Sequence, residues 1–545
     1  MEKTSKRLEK KDIIADFFKK TPENDLHHVI LLLQGRVFPH HDERKIGMSS
    51  RLILKVIAKS AGVPEHDVEK RWKSKGDLGE VAEELITKKK QATLANISLT
   101  VKKVFDNIAK LAELEGKGTV GRKIDLVSEL LTSASPVEAR FVVRTVLEDL
   151  RVGVADGLMR DSIAEAYNAD VQIVERAFDI LLDFGEVAKM ARNKNLGKIG
   201  LQVGKPLKSM LAIKVDDVKE AFEAVGKPAL FEEKLDGFRV SVHKKGNEIK
   251  LFTRSMENVT KQFAEVIPLI KSNVKCKDCI LDSEFVGYDP KTKKYLPFQH
   301  IGQRIRRKYD IEKIAEKFPV EINVFDLLHY NGKDLLHEKQ EERRRLLEKI
   351  IEEKDKKIVL TKKLITGDEK EASRFFKKAL KKGHEGLIVK NLEAEYQPGR
   401  RVGGWVKLKS SLEPLDLAII GGDWGAGKRV GVLSSFVLGC RQGDKFLSCG
   451  MMGTGIKEKS QEGVSFKELT KLLKPLIFEE KGRSVKIRPK VVVEVGYEEI
   501  QKSPTYESEY ALRFPRLIRL RNDKPLSETS DLTTLKRIFK KQKKS

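Results

Sequence analysis

The chain has 545 residues, more than one hydrophobic core usually serves, so about two to four domains are expected. Hydrophobic residues make up 40% of it, which excludes a chain that is disordered by composition. Lysine and arginine number 107 against 81 acidic residues, and the formal charge of +26 indicates a polyanionic partner, nucleic acid before a membrane. On charge alone, a generally basic protein without such a partner is the alternative.

The N-terminus, Met1–Asp12, is charged and no apolar run of about 18 residues follows anywhere, which predicts a cytoplasmic protein without a membrane span. The four cysteines predict free thiols rather than a disulfide framework. Cys276 and Cys279 form an isolated CxxC, too few ligands for zinc, and Cys440 and Cys449 flank a turn and could face each other across a hairpin.

Residues 1–200 read as successive helices. Apolar residues recur at helical spacing over Ile124–Leu131 and Ala139–Leu150, and Pro136 is a favourable helix start. These residues are therefore predicted to form an all-α domain.

From residue 201 short β-rich runs alternate with helical stretches, which is typical of an α+β domain. The runs are Arg239–His243, Ile249–Thr253, Cys279–Val286, Val320–Leu328, Leu387–Lys390 and Trp405–Leu408, with helices over Glu338–Glu353 and Lys370–Lys382. From residue 411 strands at Leu417–Ile420, Ser434–Leu438 and Val491–Val495 are separated by glycine-rich turns, which indicates a small β-barrel with a basic tail. The predicted domains are 1–200, 201–410 and 411–545.

Seven short segments follow one another through the middle and the end of the chain. KLDGFR at Lys234–Arg239 is by itself compatible with a solvated strand, but the order and spacing of all seven are specific. They are Lys234–Arg239, Phe252–Ser255, Leu281–Phe285, Val324–Leu328, Glu385–Lys390, Trp405–Lys409 and Arg513–Lys524. Together they resemble the motifs of the covalent nucleotidyltransferases, the superfamily of ATP-dependent DNA ligases, RNA ligases and mRNA capping enzymes.

The resemblance implies a reaction and a role for each residue. A lysine amine can attack the α-phosphate of ATP and hold AMP through a phosphoramide bond, and Lys234 occupies that position. Glu284 and Glu385 offer the hard oxygen ligands that Mg²⁺ (or Mn²⁺) prefers, with Glu284 near the ribose or the metal. The other nucleotide contacts implied are Glu232 and Phe325 at the adenine, Arg239 at the ribose or a phosphate, and Arg254, Arg401, Lys407 and Lys409 at phosphate charge. Singly, each could be a surface acid, a core aromatic or a half-exposed strand lysine.

The front of the chain points to DNA within this superfamily. Arg140–Gly153, with Gly116–Thr119 ahead of it, resembles the helical DNA-binding domain of archaeal and eukaryotic-type ATP-dependent DNA ligases. Arg140, Arg144 and Arg151 are the implied contacts to phosphate or the minor groove; a solvated helix face is the alternative. Such contacts are mostly to the backbone, so binding is expected to tolerate sequence and to weaken steeply with salt.

The end of the chain completes the resemblance. Glu494–Tyr506 and the last motif match archaeal ligases, and the implied fold is a helical DNA-binding domain, an adenylation domain and an OB-fold that together could close around duplex DNA. In the family the last motif, here with Arg516, Arg519, Asp523 and Lys524, orients the leaving pyrophosphate. A monomer associated with the nucleoid is expected.

One departure concerns the sliding clamp. Archaeal ligases often carry paired aromatic residues soon after a glutamine in the first domain, whereas Gln91–Ala95 stands here without aromatics. A sliding clamp therefore stays an open partner, with the aromatic part of its binding string missing here.

The predicted function is an ATP-dependent DNA ligase for replication, repair and recombination. Lys234 takes AMP from ATP, AMP passes to the 5′-phosphate at a nick, and the 3′-hydroxyl then displaces AMP. The rivals are an RNA ligase or capping enzyme, which are not expected to carry the helical front, and an inactive DNA-binding scaffold. An NAD-dependent ligase is disfavoured because its zinc module is missing.

Overall fold

The structure is a computed structural model that describes residues 4, 6–88, 98–114, 116, 118–296, 298–305, 311–400, 404–409, 413–425, 429, 431–458 and 463–544. Contacts within the chain divide it into two compact units. The first unit comprises Met1–Ile213, Asp236–Lys362 and Lys390–Trp405, and the second comprises Lys214–Leu235, Lys363–Val389 and Val406–Ser545. Residues 201–410 therefore contribute to both units.

The first unit begins with a helical region. Its helices are α1 (Arg7–Lys20), α2 (Glu23–Leu33), α3 (Ser50–Ala61), α4 (Glu65–Lys75), α5 (Leu78–Thr87), α6 (Val101–Lys110), α7 (Thr119–Ser133), α8 (Pro136–Val146), α9 (Asp156–Tyr167), α10 (Val171–Leu181) and α11 (Phe184–Arg192). Apolar faces of α3, α5, α7 and α8 share one core, and those of α1, α2, α9, α10 and α11 share another. The predicted start of α8 is confirmed, because Pro136 occupies its first turn and Ser135 and Glu138 cap it reciprocally.

The first unit continues with a largely antiparallel sheet. Its strands are β3 (Phe238–Lys245), β4 (Glu248–Thr253), β5 (Asp278–Gly287), β6 (Val320–Tyr330), β7 (Lys333–Asp334) and β8 (Ile358–Leu360), and its helices are α13 (Ile267–Asn273), α14 (Phe298–Ile305), α15 (Ile311–Lys317) and α16 (Gln340–Ile350). Within the described residues the strand order is β4-β3-β5-β6-β7, with β8 parallel to β6. The register of β3 on β5 sets Arg239 opposite Glu284, so two predicted site residues lie side by side.

The second unit contains a five-stranded sheet in the part of the chain that the structure describes, in the order β1-β11-β10-β2-β9. The elements are β1 (Ile213–Val215), α12 (Val218–Val225), β2 (Ala229–Lys234), β9 (Lys363–Thr366), α17 (Glu369–Lys381), β10 (Gly386–Asn391) and β11 (Trp405–Lys409). Apolar residues of α12 and α17 cover one face of this sheet. The ends of β2 and β11, and the turn before β10, carry predicted site residues.

The remainder of the second unit is rich in strands. It comprises β12 (Leu415–Trp424), β13 (Leu433–Gln442), β14 (Lys445–Met452), α18 (Phe466–Leu473), β15 (Ile477–Lys481), β16 (Ser484–Ile487), β17 (Val492–Gly496), β18 (Glu499–Lys502), β19 (Tyr510–Arg513), β20 (Arg516–Leu520) and α19 (Leu532–Lys544). Strand β12 pairs with β13, β16 and β17, and β17 also pairs with β20. The strands thus wrap around a core to which α18 and α19 contribute.

The order of a helical front, a mixed middle and a strand-rich end confirms the coarse prediction. The four cysteines are free, as predicted, and Cys440 and Cys449 are buried on the neighbouring strands β13 and β14. Among the helices in the described ranges, none is both long enough and apolar enough to cross a membrane.

Candidate active site

Lys234 is the last residue of β2 in the second unit. Side chains alternate along a strand, so Ala229 and Phe231 pack on the apolar core under α17 while Lys234 points to the opposite face. Its side chain is 22% exposed, and its Nζ lies 2.6 Å from Oε2 of Glu385. The predicted nucleophile therefore has the predicted metal ligand as its direct neighbour.

Glu385 lies in the turn between α17 and β10, where its backbone N–H donates to the carbonyl of Lys234 at 2.9 Å. Gly386 follows with a φ of 144°, a conformation that residues with a side chain rarely adopt. A Cβ here would lie 2.1 Å from the carbonyl oxygen of Leu408, so only glycine lets β10 and β11 approach so closely. The Glu-Gly pair in the sequence thus has a structural reason.

Lys409 extends the ion pair into a row of alternating charges. Its Nζ lies 2.8 Å from Oε2 of Glu385 and 3.3 Å from Oε2 of Glu498. Glu498 was not among the site residues predicted from the sequence. It belongs to the stretch that resembles archaeal ligases, but its contact with Lys409 spans 89 residues and no motif spacing indicates it.

The electrostatics of this row keep Glu385 ionised. Burial alone raises the pKa of Glu385, but Lys234 and Lys409 outweigh burial and lower the pKa to about 2. Burial also lowers the pKa of Lys409, but Glu385 and Glu498 outweigh it and raise that pKa. At neutral pH the row therefore presents an anionic Glu385 beside a cationic Lys409.

Two further predicted residues lie on the same strands. Glu232 is two residues before Lys234 on the same face of β2 and is 2% exposed. Lys407 is two residues before Lys409 on β11 and is half-buried. The second unit thus collects Glu232, Lys234, Lys407 and Lys409 on the ends of two strands of one sheet.

Arg239 lies in the first unit, on β3, and is held by internal hydrogen bonds. Its Nε and Nη2 donate to the two carboxylate oxygens of Asp282 at 2.9 and 2.5 Å, and Nη1 donates to the carbonyl of Met210 at 2.8 Å. The hydroxyl of Tyr396 donates to the same carboxylate at 2.9 Å. Burial lowers the pKa of Arg239, but Asp282 outweighs it and the pKa is raised. Sequence reasoning assigned no role to Asp282 or Tyr396.

Phe325 is half-buried on β6 of the same unit and is flanked by cations. The guanidinium of Arg239 lies 5.4 Å from the centroid of its ring, and Nζ of Lys390 lies 5.1 Å from it. Lys390 is 1% exposed and donates to the carbonyl of Phe325 at 3.1 Å. Trp405 meets the same ring edge-on at 6.2 Å, so the position of Phe325 is fixed on several sides.

Glu284 is half-buried on β5, and Gly237 lies close to its side chain. A Cβ on Gly237 would lie 2.7 Å from the carbonyl of Phe285 and 2.8 Å from Cγ of Glu284, so a larger residue would displace the predicted acid. Arg254 follows β4 and is exposed. Arg401 lies outside the described residues.

A site for the predicted Mg²⁺ depends on the oxygen donors that the fold presents. Over the described part of the chain, no group of three or more His, Cys, Asp or Glu side chains forms a ready metal cage. Mg²⁺ that accompanies a nucleotide needs only one or two carboxylates besides phosphate oxygens and water. The ionised, 22% exposed carboxylate of Glu385 fits that requirement.

Comparison with known proteins gives the family. The family model described as ATP dependent DNA ligase domain matches residues 209–409, and the models for the DNA ligase N terminus and the ATP dependent DNA ligase C terminal region match residues 1–164 and 429–524. The DNA ligase of Nanoarchaeum equitans (strain Kin4-M) is 45% identical over 550 residues, which cover 100% of this chain and 97% of that protein. The DNA ligase of Thermococcus onnurineus (strain NA1) is 41% identical over 549 residues, which cover 100% and 96%.

The chain belongs to the family of ATP-dependent DNA ligases. Its activity is that of an ATP-dependent DNA ligase, and the resemblance found in the motifs is confirmed. A solved structure named Pmar-Lig_Pre. is 18% identical, with a TM-score of 0.58 over 96% of this chain and 97% of that one, and it shares the fold.

The arginines predicted to contact DNA in this ligase differ in accessibility. The side chain of Arg140 is 19% exposed and its Nη1 lies 3.1 Å from Glu83. The side chain of Arg151 is 49% exposed and contacts Asp77 and Asp149. Both can reach solvent, so both remain predicted DNA contacts.

Arg144 is the least accessible of the three predicted DNA-contacting arginines. Its side chain is 7% exposed, and its Nε and Nη2 donate to Oδ2 of Asp77 at 3.1 and 2.8 Å. Asp77 is itself buried and caps α5 by accepting from the backbone N–H groups of Gly79 and Glu80. Arg144 therefore joins α8 to the start of α5, where its guanidinium neutralises the buried cap. Its predicted contact with DNA stays a prediction.

The last motif is held by acids of the strand-rich region. Nζ of Lys524 lies 2.6 Å from Asp416, and Nε of Arg519 lies 2.5 Å from Glu494. Asp523 pairs with Arg521 at 2.8 Å. Arg516 is exposed on β20, so the basic groups of this ligase motif differ in how accessible they are.

Proposed function

We propose that Lys234 is the nucleophile of this ligase and that it becomes covalently adenylylated. Its amine attacks the α-phosphate of ATP, a nitrogen–phosphorus bond forms and pyrophosphate leaves. AMP then passes to the 5′-phosphate at a nick in duplex DNA, which frees Lys234. Finally the 3′-hydroxyl attacks that phosphate, the phosphodiester bond forms and AMP leaves.

The arrangement of Lys234, Glu385 and Lys409 is the observation that supports the proposal. It places a partly exposed amine beside a carboxylate and a second cation within one unit of the chain. Phosphoryl transfer needs little covalent chemistry from a protein beyond the nucleophile, and much positioning and positive charge. Lys409 supplies charge for the phosphates when it exchanges Glu385 or Glu498 for phosphate oxygens.

We assign Mg²⁺ to Glu385, with Glu284 as the other proposed ligand. When bound, the metal neutralises charge on phosphate oxygens. The remaining roles stay as the family resemblance implies. Glu232 and Phe325 contact the adenine, Arg239 contacts the ribose or a phosphate, and Arg254, Arg401 and Lys407 contact phosphate charge.

The proposed domains are 1–200 for DNA binding, 201–410 for adenylylation and 411–545 as an OB-fold. The connectivity of the last region supports the OB-fold, since three successive antiparallel strands, β12 to β14, are followed by α18 and by strands that return to β12. We propose nicked duplex DNA as the partner, contacted through Arg140 and Arg151 of the first domain, and a monomer as the active form.

Labelling with nucleotide tests the proposal. Purified protein and Mg²⁺ are incubated with ATP or GTP labelled at the α-phosphate, and the denatured chain is examined for label. Label from ATP alone, absent with a chelator and chased onto nicked DNA, is expected. Label from GTP would assign the chain to capping chemistry, and no label with good DNA binding would indicate a scaffold.

The sliding clamp stays an open prediction, because the paired aromatic residues are missing after Gln91. Gln91–Ala95 lies outside the described residues. A binding measurement with purified clamp tests it. Binding that is lost in L94A would restore the clamp as a partner.

A further inference from the structure

The reverse face of the strand that carries Lys234 holds a buried carboxylate. Glu233 precedes Lys234 on β2, so its side chain points to the opposite face, the one on which Ala229 and Phe231 pack under α17. The side chain of Glu233 is 6% exposed. A charged group in such a place is costly unless other groups compensate it.

The compensation comes from a single short turn. Nζ of Lys382 lies 2.5 Å from one carboxylate oxygen of Glu233, and Nε2 of His384 lies 3.3 Å from the other. Lys382 is the C-cap residue that follows α17, and Gly383 turns the chain with a φ of 81°. Glu385 follows His384, so the turn that contacts Glu233 also carries the acid beside Lys234.

The same turn therefore contacts both faces of β2. On one face of β2, the carboxylate of Glu385 pairs with Lys234 at 2.6 Å, and the backbone N–H of Glu385 donates to the carbonyl of Lys234 at 2.9 Å. On the other face, Glu233 holds the two residues of the turn that flank Gly383. Residues 382–385 are thus fastened to β2 from both sides.

A charged contact between the turn and β2 differs from an apolar one in its directionality. An apolar contact would hold a turn against a strand at a lower desolvation cost than a buried carboxylate. It would leave the turn free to slide, since dispersion contacts have little directionality. A carboxylate that contacts a lysine ammonium through one oxygen and an imidazole nitrogen through the other fixes the distance and the direction of the turn.

We propose that Glu233, His384 and Lys382 are positioning residues for adenylylation, because they hold the turn that carries Glu385 in register with the end of the strand that carries Lys234. The inference rests on the proposed role of Lys234 as nucleophile. None of the three lies on the face of β2 to which Lys234 points, so they act through Lys234 and Glu385 rather than on the substrate.

The contacts of Glu233 should matter more for some chemical steps than for others. In the first step the amine of Lys234 must be aligned on the α-phosphate, and a misplacement of about 1 Å can cost about 10²-fold in rate. In the last step the nucleophile is the 3′-hydroxyl of DNA and the AMP has already left Lys234. Loss of the network should therefore slow adenylylation and spare the sealing of a nick that already carries AMP.

The test uses the full chain with E233Q, which keeps the size of the side chain and removes its charge. Two single-turnover rates are measured: transfer of labelled AMP from ATP to the protein, and sealing of a nicked duplex with a pre-adenylylated 5′-phosphate. We expect the first rate to fall about 10- to 100-fold at saturating ATP, with the KM for ATP and the second rate changed less than about twofold.

E369Q is the matched control, because Glu369 pairs with Lys227 at 2.9 Å in the same unit but is 49% exposed. It should leave both rates unchanged. E233D, which restores the charge on a shorter stem, should recover part of the lost adenylylation rate, as a positioning role requires.

If E233Q does not fold, as judged by thermal unfolding, H384Q and K382M replace it, since each leaves Glu233 in contact with one of its two partners. Unchanged adenylylation, or an equal fall in both rates, would overturn the proposal. The proposed function is judged separately by K234A: label on that variant would refute Lys234 as nucleophile, whatever the result with E233Q.

Discussion

Two regions of the molecule each set a basic side chain against an acid, and the two pairs have different uses. In the helical region the side chains of Arg144 and Asp77 are 7% and 6% exposed, and the acid also caps a helix. In the second unit the side chains of Lys234 and Glu385 are each 22% exposed, and Lys409 shares the acid. Both basic residues were predicted to meet a phosphate, and the side chain of Lys234 is the more accessible of the two.

The comparison shows that residue type and charge do not separate a structural cation from a functional one. The pKa of both acids is lowered by their basic partners against the effect of burial, so the titration of the acids does not separate the pairs either. What differs is the number of other groups that depend on each acid and the access left to solvent. A structural pair should therefore affect stability when it is broken, and a functional pair should affect chemistry.

The largest expected effect is on the functional pair. K234A removes the amine that forms the bond to AMP, so no covalent adduct should form from labelled ATP. DNA binding should be largely retained, because the side chain is not among the predicted DNA contacts. The measurement is label on the denatured chain together with the affinity for nicked duplex.

K227A provides the comparison for this variant. Lys227 lies in the same unit in an exposed pair with Glu369, and its removal should leave the adduct intact. A K234A protein that still seals nicks from ATP would show that the two pairs do not differ as we infer.

Breaking the structural pair should cost stability instead. R144A leaves the buried carboxylate of Asp77 with only part of its compensation, and removal of one partner from a buried pair costs about 3 to 5 kcal/mol in the free energy of unfolding. Urea unfolding followed by the helical circular-dichroism signal measures it. R151A is the control, because its side chain is 49% exposed and should cost about 1 kcal/mol or less. A stable R144A protein with weakened DNA binding would show that Arg144 is a DNA contact rather than a structural residue.

The sequence predicted the elements well where periodicity was strong. The strands of the predicted middle domain, such as Arg239–His243 and Val320–Leu328, lie within β3 and β6, and the helix predicted over Lys370–Lys382 corresponds to α17. Local patterns carry this information because alternation and helical repeats involve near neighbours. The family motifs likewise predicted Lys234 and Glu385 as site residues, and the structure places them in contact.

The contact partners of these site residues could not be predicted from the sequence. Glu498 meets Lys409 across 89 residues, and Arg144 meets Asp77 across 67. Burial of a side chain depends on which elements pack on it, and no spacing along the chain reports that. For this reason a row of arginines on one stretch appeared uniform in sequence, while the structure divides it into buried and accessible members.

His243 extends the comparison to a buried basic side chain that is held by neutral groups. His243 is 1% exposed on β3, where it accepts from the backbone N–H of Gly204 and contacts Ser241. Burial, with His329 and Lys250 nearby, lowers its pKa from 6.5 to about 3. Arg144 keeps its charge because of Asp77, whereas His243 stays neutral in the fold.

The consequence is a loss of stability toward acid. Between about pH 6.5 and pH 3, His243 binds a proton in the unfolded chain but not in the folded chain. The free energy of unfolding therefore falls as the pH falls. From about pH 6.5 to pH 5 the loss should be about 2 kcal/mol, above the range in which most carboxylates titrate. H243Q should flatten this dependence in urea unfolding at the two pH values, and H66Q, at a side chain that is 79% exposed, should not. An equal slope in wild type and H243Q would show that His243 is charged in the fold.

The smallest effect concerns the accessible arginine of the helical region. If Arg151 meets one phosphate, R151A should reduce the slope of log affinity against log salt concentration by about 0.9, because one fewer counterion is released. Binding to nicked duplexes of different sequence should weaken by a similar factor in each, since a phosphate contact carries no base information. Titrations at several salt concentrations measure both quantities, with K227A as the remote control. An unchanged slope would place Arg151 with Arg144, as a residue that serves Asp77 and the helices rather than DNA, and accessibility alone would then fail to distinguish the two kinds of cation.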